Sequence, residues 1–224
     1  MHIGLIGGIG PAATEFYYRG LVAACPAASC ALELTIAHAD MSVLLGNLFA
    51  GAPGVQAGVF RQHIKQLAGA GAQVAAVTSI AGHFCFRELE AISPLPLVSA
   101  LTSLEQEVQH RRLHRVGLLG SKAAMETGLY GTLTAVEVVL PQGDELLAVS
   151  DEYLAMAAAQ RATAAQRELF FAAGARLCAE QSAEAVILAG TDMFLAFAGA
   201  DPGFAVIDAA EVHIRALAAI ARQA

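Results

Sequence analysis

The sequence predicts an α/β protein made of two similar doubly wound parallel-sheet halves facing each other across a shared crevice. Three observations carry that reading. Short apolar runs alternate with longer helical patterns, as βαβ units require. The composition is 56% hydrophobic and only 15% charged, with much of the excess in alanine, which suits strands covered on both faces. The halves also echo each other: Gly4-Leu5-Ile6-Gly7-Gly8 is matched by Gly117-Leu118-Leu119-Gly120-Ser121. In each half the third strand follows about seventy residues later, ending at Ser79 and at Gly190, and motif plus spacing together read as an internal duplication.

In chain order, the first half offers apolar strand runs at Ile3–Ile6, Glu33–Ala37, Val74–Val77 and Leu97–Ser99. The second offers Arg115–Leu119, Val136–Leu140, Ala185–Leu188 and Phe204–Ile207. Apolar residues at three and four spacing predict helices over 12–24, 54–70, 83–92, 101–112, 123–132, 154–180 and 209–222. The join is expected near Pro94-Leu95-Pro96, giving a first half of 1–97 plus 208–224 and a second of 98–207, with the last helix returning to the first half. Ligands of open parallel sheets sit beyond the carboxyl ends of the strands. That places Gly8, Ser79, Ser121 and Gly190 around the expected crevice.

Bulk properties exclude several classes of partner. A formal charge of −7, with no Lys/Arg run, argues against a nucleic-acid surface. Residues 66–86 carry no formal charge, but Gly, Gln, Ser, Thr and His within them read as a strand plus turn, not a membrane span. Ile3-Gly4-Leu5-Ile6 runs directly into glycines, so no signal peptide is expected before the first strand. Cys25, Cys30, Cys85 and Cys178 match neither a zinc pair nor a redox pair, and reduced thiols in a cytoplasmic protein are the expectation. Cys85, two residues past His83, reads first as a small buried apolar residue. His38 and Asp40 at a strand end, with His83 and His213, have no distinctive metal-ligand spacing, so no metal is expected.

Gly7-Gly8-Ile9-Gly10-Pro11-Ala12-Ala13-Thr14 follows a strand and opens a helix, where backbone N–H groups can point at an anion. It lacks the Gly-x-Gly-x-x-Gly spacing of a dinucleotide site. The segment resembles the Gly-Gly-Met-Gly-Pro-x-Ala-Thr opening of aspartate racemases, and Phe16-Tyr17-Tyr18-Arg19 after it is similar too. The stretch from Ala72 to His83 resembles the first catalytic segment of the aspartate/glutamate racemase superfamily. Where that family writes Cys-Asn-Thr-x-His, this chain has Ser79-Ile80-Ala81-Gly82-His83. Ala185-Val186-Ile187-Leu188-Ala189-Gly190-Thr191-Asp192 resembles the family's strand ending Gly-Cys-Thr-Glu, with Gly190 in place of the second cysteine. Asp40, the run from Arg115 to Ser121, Met125, Tyr130, Asp208 and His213 extend the likeness over nearly the whole chain.

The resemblance implies a cofactor-independent enzyme of isomerase or lyase type, a homodimer, acting on a small carboxylate or amino acid. In the family two thiols on opposite faces of the substrate carbon move its proton. Here both cysteine positions are substituted, so ordinary two-thiol racemisation is expected to be impaired. Family donors to the substrate carboxylates are lost at Ile80 and Ala81 and kept at Thr191, while Ser121 still carries a hydroxyl. Backbone N–H groups at the helix starts after Ser79 and Ser121 offset part of the loss.

For proton transfer the residues leave Ser79, His83 and Asp192. A serine hydroxyl is a poor base unless a neighbour takes its proton, and His83, one helical turn on, is the candidate. The same histidine equally suits a helix cap or a bond to a backbone carbonyl. Gly190 has no side chain to reprotonate the second face and is expected to enlarge the crevice; Asp192 either reaches in, or is solvated or caps a helix. Two functions are therefore open: a diverged enzyme working on one face of its ligand, or a catalytically inactive paralogue that binds a small molecule.

Overall fold

In the computed structural model, which describes residues 1–26 and 31–222, a strand forms at each of the eight apolar runs. Cys30 lies outside the described residues. The chain runs β1 (His2–Gly7), α1 (Pro11–Ala24), β2 (Glu33–His38), α2 (Met41–Phe49), α3 (Pro53–Gly69) and β3 (Val74–Val77). A 3₁₀ turn (Ala81–Cys85) leads into α4 (Phe86–Ile92), β4 (Leu97–Val98) and α5 (Ala100–His110). Then come β5 (Arg115–Gly120), α6 (Lys122–Glu126), α7 (Gly128–Gly131), β6 (Glu137–Val139) and α8 (Asp144–Ala159). The chain continues through α9 (Ala164–Gln181), β7 (Ala185–Ala189), α10 (Phe194–Phe197), β8 (Val206–Asp208) and α11 (Ala209–Arg222).

Two compact units result: Met1–Ser103 with Ala210–Ala224, and Leu104–Ala209. Each holds a four-stranded, all-parallel sheet with flanking helices, ordered β2-β1-β3-β4 in the first and β6-β5-β7-β8 in the second. The order is the same once strands are matched as first to fifth, second to sixth and so on. The repeated glycine has a packing reason in both copies. A Cβ on Gly4 would meet Leu67 of α3 at 3.0 Å, and one on Gly117 would meet Leu177 of α9 at 2.8 Å. In each unit the helix before the third strand therefore lies too close to the first strand for a side chain.

In the first unit the two-residue period of the strands sorts the core onto both sheet faces. Ile3, Leu5, Val74 and Ala76 pack with Tyr17 and Leu21 of α1 and with Ala210, Ile214 and Leu217 of α11. Ile6, Ala75 and Val77 pack with Phe60, Ile64 and Leu67 of α3. The last helix thus joins the first unit's core. In the second unit Val116, Leu118 and Leu119 of β5 and the whole of β7 are buried.

Helix boundaries depart from the sequence expectation where polar capping intervenes. The single helix expected over 154–180 is two, α8 and α9. Gln160 ends the first in a left-handed conformation (φ 56°). Thr163 and Gln166 start the second with a reciprocal capping box. The helix expected over 123–132 breaks into α6 and α7, with Leu129 and Tyr130 both at positive φ. Helix α2, not expected, is capped by Asp40, whose carboxylate accepts from the Ser42 and Val43 N–H groups. No helix among the described residues is long and apolar enough to cross a membrane. Residues 66–86 form the end of α3, β3, the 3₁₀ turn and the first residue of α4.

Candidate functional site

In the first unit the candidate residues gather at the carboxyl ends of β1 and β3, which pair in register up to Ile6 and Val77. Thr78, fully buried, donates its hydroxyl to the Ile6 carbonyl at 3.1 Å and ties the two ends together. Ser79 is 5% exposed and its Oγ accepts the Gly82 N–H at 3.3 Å. Ile80 is buried and Ala81 half-buried, so the flank beside Ser79 is apolar. Gly8 adopts φ +92°, and a Cβ there would come within 2.4 Å of the His38 ring. The Gly8 N–H is engaged by Thr14 Oγ1 at 2.8 Å, and the same hydroxyl donates to the Gly10 carbonyl at 3.1 Å. That N–H is spent inside the loop and is not one of the anion-facing groups the sequence offered.

His83 resolves in favour of the backbone. Its Nδ1 lies 2.7 Å from the Ser79 carbonyl oxygen, which only accepts, so Nδ1 carries the hydrogen. Its Nε2 lies 3.1 Å from the Ala100 N–H, which only donates, so Nε2 is the acceptor. The ring is 3% exposed and stacks on Phe86 at 5.1 Å. Burial pushes its pKa down to about 4, against the opposing bond to Ser79. The expectation that His83 takes a proton from the Ser79 hydroxyl does not hold: both nitrogens are committed to backbone groups, and neither faces Ser79 Oγ.

His213 is held similarly. The Tyr17 hydroxyl donates to its Nδ1 at 2.8 Å, and its Nε2–H donates to the Val98 carbonyl at 3.1 Å. Burial, then the neighbouring His83, lowers its pKa to about 3. Cys85 is fully buried in the core with Phe60 and Leu89, and its Sγ donates to the Gly82 carbonyl at 3.4 Å. Burial, reinforced by Glu88, pushes the thiol up to about 12. It is a core residue and no proton carrier at neutral pH.

In the second unit the matching ends belong to β5 and β7, in register up to Gly120 and Ala189. Ser121 and Gly190 follow directly. Ser121 caps α6, its Oγ accepting the Ala124 N–H at 3.3 Å. The Lys122 N–H donates to Ser150 Oγ of α8 at 2.9 Å. Several N–H groups counted from sequence as open to a ligand, after Ser79 and after Ser121, are therefore already bonded. Thr191 and Asp192 are buried, at 2% and 5% exposure.

The extra room expected beside Gly190 is absent, because the Tyr153 ring fills it. A Cβ built on Gly190 would stand 2.4 Å from both Cζ and Oη of Tyr153. Burial first, then the charge of Asp192 and the nearby Tyr130, holds the Tyr153 hydroxyl protonated well above the ordinary phenol range. Sequence reasoning missed Tyr153 and Thr78. Tyr153 lies 37 positions before Gly190 on another element, and only the sheet-and-helix packing joins them.

No group of three or more His, Cys, Asp or Glu side chains able to hold a metal ion occurs among the described residues. Asp40 spends its carboxylate on capping, accepting also from the Ser42 hydroxyl at 2.5 Å. Past its strand ends the first unit offers the Ser79 hydroxyl, and the second unit by itself offers hydroxyls at Ser121 and Tyr153 and a buried carboxylate at Asp192.

Residues 6–217 match the family model for Asp/Glu/Hydantoin racemase. Among solved structures, a candidate Asp/Glu racemase from Yersinia pestis superposes with a TM-score of 0.85 at 25% identity, covering 99% of each chain. An aspartate racemase homologue from Pyrococcus horikoshii OT3 gives 0.81 at 25% identity over 98% of each chain. Aspartate racemase from Picrophilus torridus gives 0.79 at 20% identity, over 99% of this chain and 94% of its own, a likeness of fold. No curated protein matches the chain by sequence.

Proposed function

Because the chain belongs to the Asp/Glu/hydantoin racemase family, we propose that it binds a small carboxylate or amino acid at the carboxyl ends of its strands without racemising it by two thiols. One observation carries the reading. Ser79 and Gly190 lie just past the ends of β3 and β7, and His83, near Ser79, has both ring nitrogens bonded to backbone. A Cα proton is very weakly acidic, and each well-placed transfer group contributes about 10²–10⁴-fold to its removal. A serine hydroxyl without a base supplies little of that. Its hydrogen remains suited to a carboxylate oxygen, since Ser79 Oγ uses only an acceptor position on Gly82.

A one-sided isomerase or lyase is the second reading, and the burial of Asp192 at the end of β7 favours it. That carboxylate lies two residues past Gly190 and is a candidate proton carrier for one face of the ligand.

Two measurements separate the readings. Thermal-shift screening against L- and D-aspartate, L- and D-glutamate and other small carboxylates should find a stabilising ligand. Exchange of that ligand's Cα proton in heavy water should be absent. Exchange near the median enzyme rate of roughly 10 s⁻¹ would overturn the loss of racemisation. Slow exchange abolished by Asp192→Asn would favour the one-sided enzyme.

A further inference from the structure

The space at position 190 is occupied. Real Cβ atoms essentially never approach other heavy atoms closer than 3.0 Å, yet one on Gly190 would lie 2.4 Å from Tyr153 Cζ, 2.4 Å from its Oη and 2.6 Å from its Cε2. A side chain at 190 and the phenol of Tyr153 therefore exclude each other. The glycine and the tyrosine are one structural unit, in which the tip of a residue from α8 sits where the side chain of a β7-end residue would begin.

Helix α8 is aligned for this task. Ser150 and Tyr153 are three positions apart and share a helix face. Ser150 Oγ accepts the Lys122 N–H at 2.9 Å, just past the end of β5, while Tyr153 meets Gly190 just past the end of β7. One face of α8 thus serves the carboxyl ends of two neighbouring strands, where ligands of parallel sheets bind. Both residues are nearly buried, Ser150 at 4% and Tyr153 at 9% exposure.

We infer that Tyr153 stands in for the side chain that position 190 lacks, and that its hydroxyl donates a hydrogen bond to a carboxylate oxygen of the ligand. The inference rests on the carboxylate-binding function proposed above. A phenol differs from a thiolate in the direction that matters here. Burial and the neighbouring Asp192 disfavour the phenolate, so the group keeps its hydrogen at neutral pH and donates it. It takes no proton from carbon, and it adds a donor without adding charge.

The test uses the full-length chain and titrates L- and D-aspartate and L- and D-glutamate by calorimetry. Tyr153→Phe keeps the ring volume and removes only the hydroxyl. It should weaken the tightest of these probes about 10- to 100-fold, the range for a hydrogen bond to a charged group, with the melting temperature unchanged. Gly190→Ala leaves the hydroxyl intact but drives the phenol from its place, and should weaken the same probe comparably. Wild-type affinity in Tyr153→Phe overturns the inference and leaves the carboxylate-binding function standing. If Tyr153→Phe folds poorly, Gly190→Ala decides, and undiminished affinity there also overturns it. Binding of none of the four probes, and of no other small carboxylate in the thermal-shift screen, to the wild-type chain removes both.

Discussion

The backbone N–H of Ala100 donates to Nε2 of His83 at 3.1 Å, while Nδ1 of the same ring donates to the Ser79 carbonyl at 2.7 Å. The imidazole bridges the segment after β3 to the first residue of α5 and fixes the backbone of Ser79. Stability is therefore its first role. His83→Ala strands two polar backbone groups and opens a cavity under Phe86. Each buried unsatisfied group costs about 1–3 kcal/mol, so a total loss of about 3 kcal/mol is expected. Urea unfolding of the two chains measures it, and a loss under about 0.5 kcal/mol would show that the bridge contributes little.

Acid should destabilise the fold through the same ring. Burial holds the imidazole of His83 down to about 4 and that of His213 down to about 3 in the fold, both below the ordinary histidine value of 6.5. Below pH 6.5 the unfolded chain takes up protons that the folded chain refuses, so stability falls as pH drops, until the folded histidines also titrate. A shift the size of that on His83 corresponds to roughly 3 kcal/mol over this window. Urea midpoints at pH 7.5, 5.5 and 4.5 should decline, and His83→Gln should flatten the decline. An unchanged slope in that variant would assign the acid sensitivity elsewhere.

Much of this architecture is written in local pattern. Fully buried parallel strands read as unbroken apolar runs, and Val74–Val77 forms with the boundaries its residues suggest. The repeat of Gly4 at Gly117 was visible as a motif, and its cause is the leucine packed against each. The boundary between α8 and α9 was not read from the sequence, although Thr163 and Gln166 have the spacing of a capping box. A continuous apolar pattern masked it. The site was legible only in part. That positions 79 and 190 hold a serine and a glycine is read directly from the sequence. That His83 faces backbone depends on where Ala100 lands, and that Gly190 is filled depends on α8; neither is encoded near the residue it governs.

Cys85 should behave as a core atom. Its thiol is fully buried, pushed up to about 12, and donates to the Gly82 carbonyl. Thiolate is the reactive form, so at pH 8 its native reactivity should fall about 100-fold or more below that of a free cysteine. A chain with Cys25, Cys30 and Cys178 changed to Ser leaves this thiol alone. Labelling with a chromogenic disulfide should be slow when folded and prompt in urea. Prompt native labelling would place the thiol at the surface and reopen its claim to chemistry.

The final prediction concerns the coupling of Gly190 to Tyr153. Placing a thiol here by Gly190→Cys forces its Cβ into the phenol at 2.4 Å. Overpacking of a filled interior costs about 1–3 kcal/mol. Tyr153→Ala alone empties the volume of a ring and is destabilising in its turn. Made together, the two changes remove each other's defect: the cysteine gains the space that the ring gives up. The double variant should therefore be more stable than the sum of the single losses, by about 1–3 kcal/mol of coupling. Urea unfolding of the four chains gives that term directly. Simple additivity would mean that Tyr153 swings aside at little cost, and that the glycine at 190 is kept for some reason other than the ring beside it.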